Sequence, residues 1–205
     1  MTTTAITVAL ADFDVALGAT IPFAPTDEGP VWYGIQLRAV DGWLTAAATD
    51  GSVAARVRKP ATGRLYTTFL LHRSHAELVR SALAFHLDTA SRMPVTLSVT
   101  GDFPHRLLTI GVDGRFTTCF YEASLHPADI DALLNPPGTA GEQTPAEAPT
   151  PMPAQLIEPF LHVAALAKKE PLRWTLHGPS RTNYVRVGDW FTGVLMPEAT
   201  AVTGR

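Results

Sequence analysis

"LTAAATDGSVAARVR", residues 44–58, is a pair of alternating runs joined by Asp50-Gly51. Asp-Gly supplies the positive φ angles of a tight type I′ turn, so the stretch reads as a β-hairpin. On its first arm Trp43, Thr45 and Ala47 point one way, and Leu44, Ala46 and Ala48 the other. Past the turn, Val53, Ala55 and Val57 alternate with Ser52, Ala54, Arg56 and Arg58. Such hairpins recur in many β proteins, so Thr49-Asp50-Gly51 is read as a turn first. It becomes part of a site only through the company it keeps.

The surrounding chain reads as strands and helices in mixture. A short helix is expected over residues 7–17, followed by strands near 31–39, 43–49 and 52–58. The apolar run at 67–71 precedes a helix from Ser74 to about Phe85, whose Leu78, Ala82 and Phe85 recur at helical spacing. Ser74 and Glu77 have the spacing of a capping box. Strands follow in "PVTLSVTG" (94–101), "RLLTIGV" (106–112) and "RFTTCFYEA" (115–123). Residues 135–153, "NPPGTAGEQTPAEAPTPMP", have almost no large apolar side chain and read as an extended linker. That divides the chain into 1–134 and 154–205, the latter near the lower size limit for independent folding.

The last segment repeats part of the first. "AELVRSAL" (76–83) is echoed by "AQLIEPFL" (154–161), "PVTLSVTG" by "PLRWTLHG" (171–178), and "GVDGRFTTCFYE" (111–122) by "GDWFTGVLMPE" (188–198). Three motifs in one order at nearly constant offset mark an internal repeat of a helix plus three strands. The expected architecture is α+β: three β-α-β-β-β units, with antiparallel sheets and helices on one face.

Composition bounds the partners. A net charge of −3 argues against coating nucleic acid by bulk charge, while leaving room for a local basic surface. No apolar run is long enough to span a membrane, and the N-terminal stretch lacks the pattern of a secretory signal. Cys119 is the single cysteine, so neither a disulfide framework nor a thiolate metal cluster is expected. These features point to the cytoplasm. His72 and His75 are three apart, but no acidic or Cys cluster beside them completes a ligand set. No nucleophile elbow, phosphate-binding loop or zinc-protease helix occurs either. The expectation is a protein that is not an enzyme and uses no cofactor or metal.

The order of these elements, with Ala48-Thr49-Asp50-Gly51 before a strand and Val194-Leu195-Met196-Pro197 near the end, resembles the bacterial sliding clamp, the DNA polymerase III β subunit. "LHPADIDALL" (125–134) stands where that family leads into its interdomain connector. The resemblance spans nearly the whole chain except the linker, and implies a shortened clamp-like protein: one complete domain over 1–134, similar to the family's middle domain, and the second half of its last domain over 154–205. It further implies a pocket for the short hydrophobic motif of a DNA polymerase or another replication or repair partner. The lining implied is Thr49, Ser52, Ala54, Pro127, Leu133, Val194 and Met196. Ser52 stands where the family often has His, Ala54 where it has Leu, and Glu198 where an apolar residue is common, so peptide preference is expected to differ. On the residues alone, Val194–Met196 is also consistent with a plain core strand.

Clamps encircle double-stranded DNA and touch its phosphates from their helices. By resemblance, Arg73, Arg80, Lys168 and Lys169 would make those contacts here. Lys168-Lys169 fits equally well as favourable charge at a helix C-terminus. A closed ring of twelve units would take four such chains, so a homo-oligomer is one expectation. A monomeric adaptor or decoy, which binds partner peptides without encircling DNA, is the other.

Overall fold

The computed structural model describes residues 4–26, 34–102, 105–112, 116–122, 129–134, 153–177 and 182–196. Strand β1 is Thr4–Ala9, followed directly by helix α1, Leu10–Thr20, and a 3-10 turn at Ile21–Phe23. The strands β2 (Ile35–Val40), β3 (Trp43–Thr49), β4 (Val53–Gly63) and β5 (Leu65–Leu71) come next. Helix α2 (Arg73–Ala90) leads into β6 (Pro94–Thr100), β7 (Leu107–Val112) and β8 (Phe116–Tyr121). The short helix α3 is Ile130–Leu134. The last described elements are α4 (Ala154–Ala167), β9 (Arg173–Thr175), β10 (Asn183–Val187) and β11 (Phe191–Leu195).

The α+β architecture with antiparallel sheets is present, and its pairing carries the repeat further. One sheet runs β5-β2-β3-β4 and the other β1-β6-β7-β8. Each half therefore lends its first strand to the other half's sheet. β4 is long enough to serve both: Val53–Val57 pairs with β11, and Ala61–Gly63 pairs with β1. Gly63 has φ +90°, and a Cβ there would stand 2.3 Å from the Ala5 carbonyl oxygen, so only glycine fits where β4 crosses β1.

Residues 7–9 belong to a strand rather than to the expected helix. Ile6 and Val8 are buried while Thr7 is not, a period of two in a β-branched run. The helix starts at Leu10, where the amides of Leu10 and Ala11 donate to Met93 O and Ser91 O, each at 2.9 Å. These carbonyls replace a side-chain cap. The α2 start also differs. His72 is the N-cap, its Nδ1 accepting from Ser74 N at 3.2 Å, and Glu77 pairs with Arg73 at 2.9 Å instead of closing a capping box.

α1 is buried on most sides because it lies between α2 and α4 with the sheets beneath. The 154–167 helix and β11 share its core: Phe160 sits edge-on to Phe23 with ring centroids 5.0 Å apart, and Phe191 lies 6.0 Å from Phe23. Burying such rings stabilises by about 1.5–3 kcal/mol each. Through β4–β11 the second segment extends the first sheet to β5-β2-β3-β4-β11-β10-β9.

Candidate functional site at the seam between the two segments

The 49–53 turn is built differently from a type I′ hairpin. Asp50 N donates to Val53 O at 3.3 Å, which makes Gly51 and Ser52 the central pair. Gly51 has φ +94° at the first central position, as a type II′ turn requires. The Asp-Gly pair with positive φ at both residues is Asp41-Gly42, between β2 and β3. Asp50 Oδ1 accepts from both Ser52 N and Val53 N at 2.8 Å. Thr49 Oγ1 donates to Val53 O at 2.8 Å and accepts from Gly51 N at 3.1 Å. Thr49 and Asp50 are thus engaged in bracing the turn.

β11 lies along this hairpin. Val194 faces Ala54, Leu195 faces Val53, and Met196 N donates to Ser52 O at 2.8 Å. Over the seam sits α3. Ile130 and Leu134 bury Ala47, Ala54 and Val194 in one small apolar cluster, with Tyr184 and Met196 packed at its border and only partly buried. Asp131 Oδ1, 2.8 Å from Arg56 Nη1, ties α3 to the sheet. Tyr184 Oη is buried there with no hydrogen-bond partner among the described residues.

Of the seven pocket residues expected, Ala54, Val194 and Met196 share this cluster, and Ser52 joins it through the backbone bond to Met196. Leu133 lies on α3, partly buried and outside the cluster, and Thr49 is buried at the turn. Pro127 lies outside the described residues, as does nearly all of the 135–153 linker. Ala47, Ile130, Leu134 and Tyr184 were missed. An Ile and a Leu four apart in "IDALL" were the one available signal for the first turn of a covering helix.

In the helix layer the two candidate arginines are already engaged. Arg80 Nε lies 2.9 Å from Asp14 Oδ1, across Gly18, where a Cβ would collide with the guanidinium. Arg73 pairs with Glu77 and donates to Ala24 O at 2.5 Å. Lys168, with φ +56°, caps α4, and it and Lys169 are exposed. A hollow of about 540 Å³ between these helices is lined by Asp14, Arg73, Glu77, Arg80 and His162. On the same helices α2 and α4, Leu78, Phe85 and Leu161 are exposed, Phe85 at 85%. Among the described residues no group of three or more His, Cys, Asp or Glu could hold a metal, and no helix is long and apolar enough to cross a membrane.

No family model and no curated protein matches the sequence. Solved structures match its fold. The DNA polymerase III subunit β from Pseudomonas aeruginosa superposes with a TM-score of 0.73 at 15% identity, covering 95% of this chain and 66% of that one. The C. crescentus β sliding clamp gives 0.64 at 14%, covering 99% and 68%. The Borrelia burgdorferi subunit β gives 0.68 at 8%, covering 96% and 64%. At these identities the likeness is one of fold, and it spans about two thirds of each neighbour's length. The chain has the sliding-clamp fold, with its candidate site where the β3–β4 turn, α3 and β11 meet.

Proposed function

We propose that the protein is a non-enzymatic clamp-like binding protein that takes the short apolar motif of a DNA polymerase or another replication or repair protein. The observation that carries this reading is the apolar seam: three stretches far apart in sequence converge there, under a partly exposed rim of Tyr184 and Met196. A flexible Met on such a rim adapts to different apolar side chains. Ala54 and Val194 are fully buried beneath α3, so a peptide that reaches them displaces Ile130 or Leu134. The clamp fold supports a role at the level of replication or repair in the cytoplasm.

A clamp encircles duplex DNA, and an adaptor binds partner peptides without it. The adaptor reading is favoured at Arg73 and Arg80, which have acidic partners, and by three large apolar side chains that face outward, while the exposed Lys168 and Lys169 are the candidate cations left for a duplex. Phosphate contacts need cations free to replace counterions. In this reading a labelled duplex shows no salt-sensitive binding to the wild-type protein.

The peptide claim is tested by fluorescence anisotropy with a labelled peptide carrying a Leu-Leu-Phe core. Met196→Asp is expected to weaken binding at least about tenfold, equivalent to about 1.4 kcal/mol, with the circular dichroism spectrum unchanged. An affinity equal to wild type in a folded Met196→Asp protein overturns the assignment.

A further inference from the structure

The outer face of the seven-stranded sheet carries a pattern the helix layer lacks. By register, Arg38 of β2 and Arg58 of β4 flank Thr45 of β3 in one row across the strands. In the next row Gln36, Ala47, Arg56, Thr192, Arg186 and Arg173 follow one another from β2 to β9. Paired residues in antiparallel strands share a face, so five arginines lie on one surface. At about 4.8 Å between strands the second row spans roughly 24 Å. Arg56 is held by Asp131, and Arg58 lies over the Trp43 ring, 5.0 Å from its centroid. Arg38, Arg173 and Arg186 have no ion-pair partner among the described residues, and all three are exposed. Two adjoining hollows of about 200 and 220 Å³ share Arg38, Thr45 and Asp131 as lining.

The chain itself shows what this face accepts. α3 presents Ile130 and Leu134 to Ala54 and Val194, and a carboxylate to Arg56 one pleat away. That is an aliphatic pair with an acidic neighbour, seated on an apolar row beside a basic one. From this we infer that the face recognises acidic residues flanking a partner protein's apolar motif. Arg38 and Arg58 receive carboxylates on the β2 side of α3, and Arg186 and Arg173 receive them on the β9 side. Guanidinium forks suit carboxylates bidentately, and steering by such a face acts mainly on encounter and selectivity. This inference rests on the peptide-binding reading and names the partner's chemistry.

The test uses the full chain and three labelled peptides with one Leu-Leu-Phe core, flanked by four Glu, four Gln or four Lys. The Glu-flanked peptide is expected to bind about tenfold tighter than the Gln-flanked one in about 50 mM salt, and to lose most of that advantage by about 300 mM. Arg38→Ser/Arg58→Ser and Arg173→Ser/Arg186→Ser should each reduce the advantage while leaving the Gln-flanked affinity unchanged. Equal binding of the Glu and Gln peptides overturns the inference and leaves the apolar seam standing. Failure of all three peptides to bind removes the seam and the inference together. A labelled single-stranded oligonucleotide that displaces the Glu peptide, and is lost in the same variants, also overturns it by giving the face to nucleic acid.

Discussion

The helix layer and the outer sheet face both carry arginines, but they use them in opposite ways. On the helices, Arg73 and Arg80 are folded back onto Glu77 and Asp14, and Asp14 is only 8% exposed. On the sheet, Arg38, Arg173 and Arg186 reach solvent from registered strands with no ion-pair partner among the described residues. An ion pair closed by a nearly buried carboxylate belongs to the fold, because breaking it strands a charge. An unpaired surface guanidinium contributes little to stability and remains available for binding. The same residue type therefore marks structure on one side of the molecule and recognition on the other.

The comparison breaks most visibly if the helix layer proves dispensable. Phe160→Ala removes a fully buried ring that touches Phe23, Trp174 and Phe191. The expected cost is about 3–5 kcal/mol, measured by urea unfolding. A smaller effect is expected at Arg80. Arg80→Ala leaves Asp14 without its partner and costs about 1–2 kcal/mol, discounted because Arg80 itself is 40% exposed. Arg38→Ala on the sheet face should change unfolding stability by less than about 0.5 kcal/mol. Equal losses at Arg80 and Arg38 would erase the distinction between the two faces.

The smallest effect concerns pH. Burial, and after it the neighbouring His72, lowers the pKa of His75 below 6.5. Its ring stacks on Phe120 with centroids 4.5 Å apart, and its Nδ1 is buried with no hydrogen-bond partner among the described residues. The folded state favours the neutral imidazole, so the unfolded chain takes up the proton first as pH falls. This contribution is complete above about pH 6.5 and is lost as pH drops from there through the lower folded pKa. Urea midpoints at pH 7.5 and pH 5 should differ less in His75→Gln than in wild type.

Local patterns in the sequence carried most of the elements. Alternation in "WLTAAAT" marks β3 with its observed limits, and the repeated helix-plus-strands motif anticipates α4, β9 and β11. What escaped was set by distant backbone. Residues 7–9 look helical within "TVALADFDVAL" because the apolar spacing suits both periods. Pairing on both sides, with β4 and β6, decides for a strand. The turn type at 49–53 was misread because the Asp50 side chain replaces a backbone acceptor, which shifts the turn by one residue. In the seam cluster, Ala54, Val194 and Met196 are the positions that the family resemblance also names. The covering role of Ile130 and Leu134 was not legible, since five residues are too short a helix to announce which face they bury.

β4 has a consequence for how the molecule comes apart. Along one stretch it is flanked by β3 and β11, and along the other it pairs with β1, so it is the strand that both sheets hold in common. Opening either sheet alone leaves β4 tethered to the other along its remaining stretch. The amides of its Val53–Val57 stretch, covered on both edges, therefore exchange with solvent only when the seven-stranded sheet itself opens. Two segments joined by a Pro-rich connector consequently melt as a single cooperative unit, with β4 the last piece to let go.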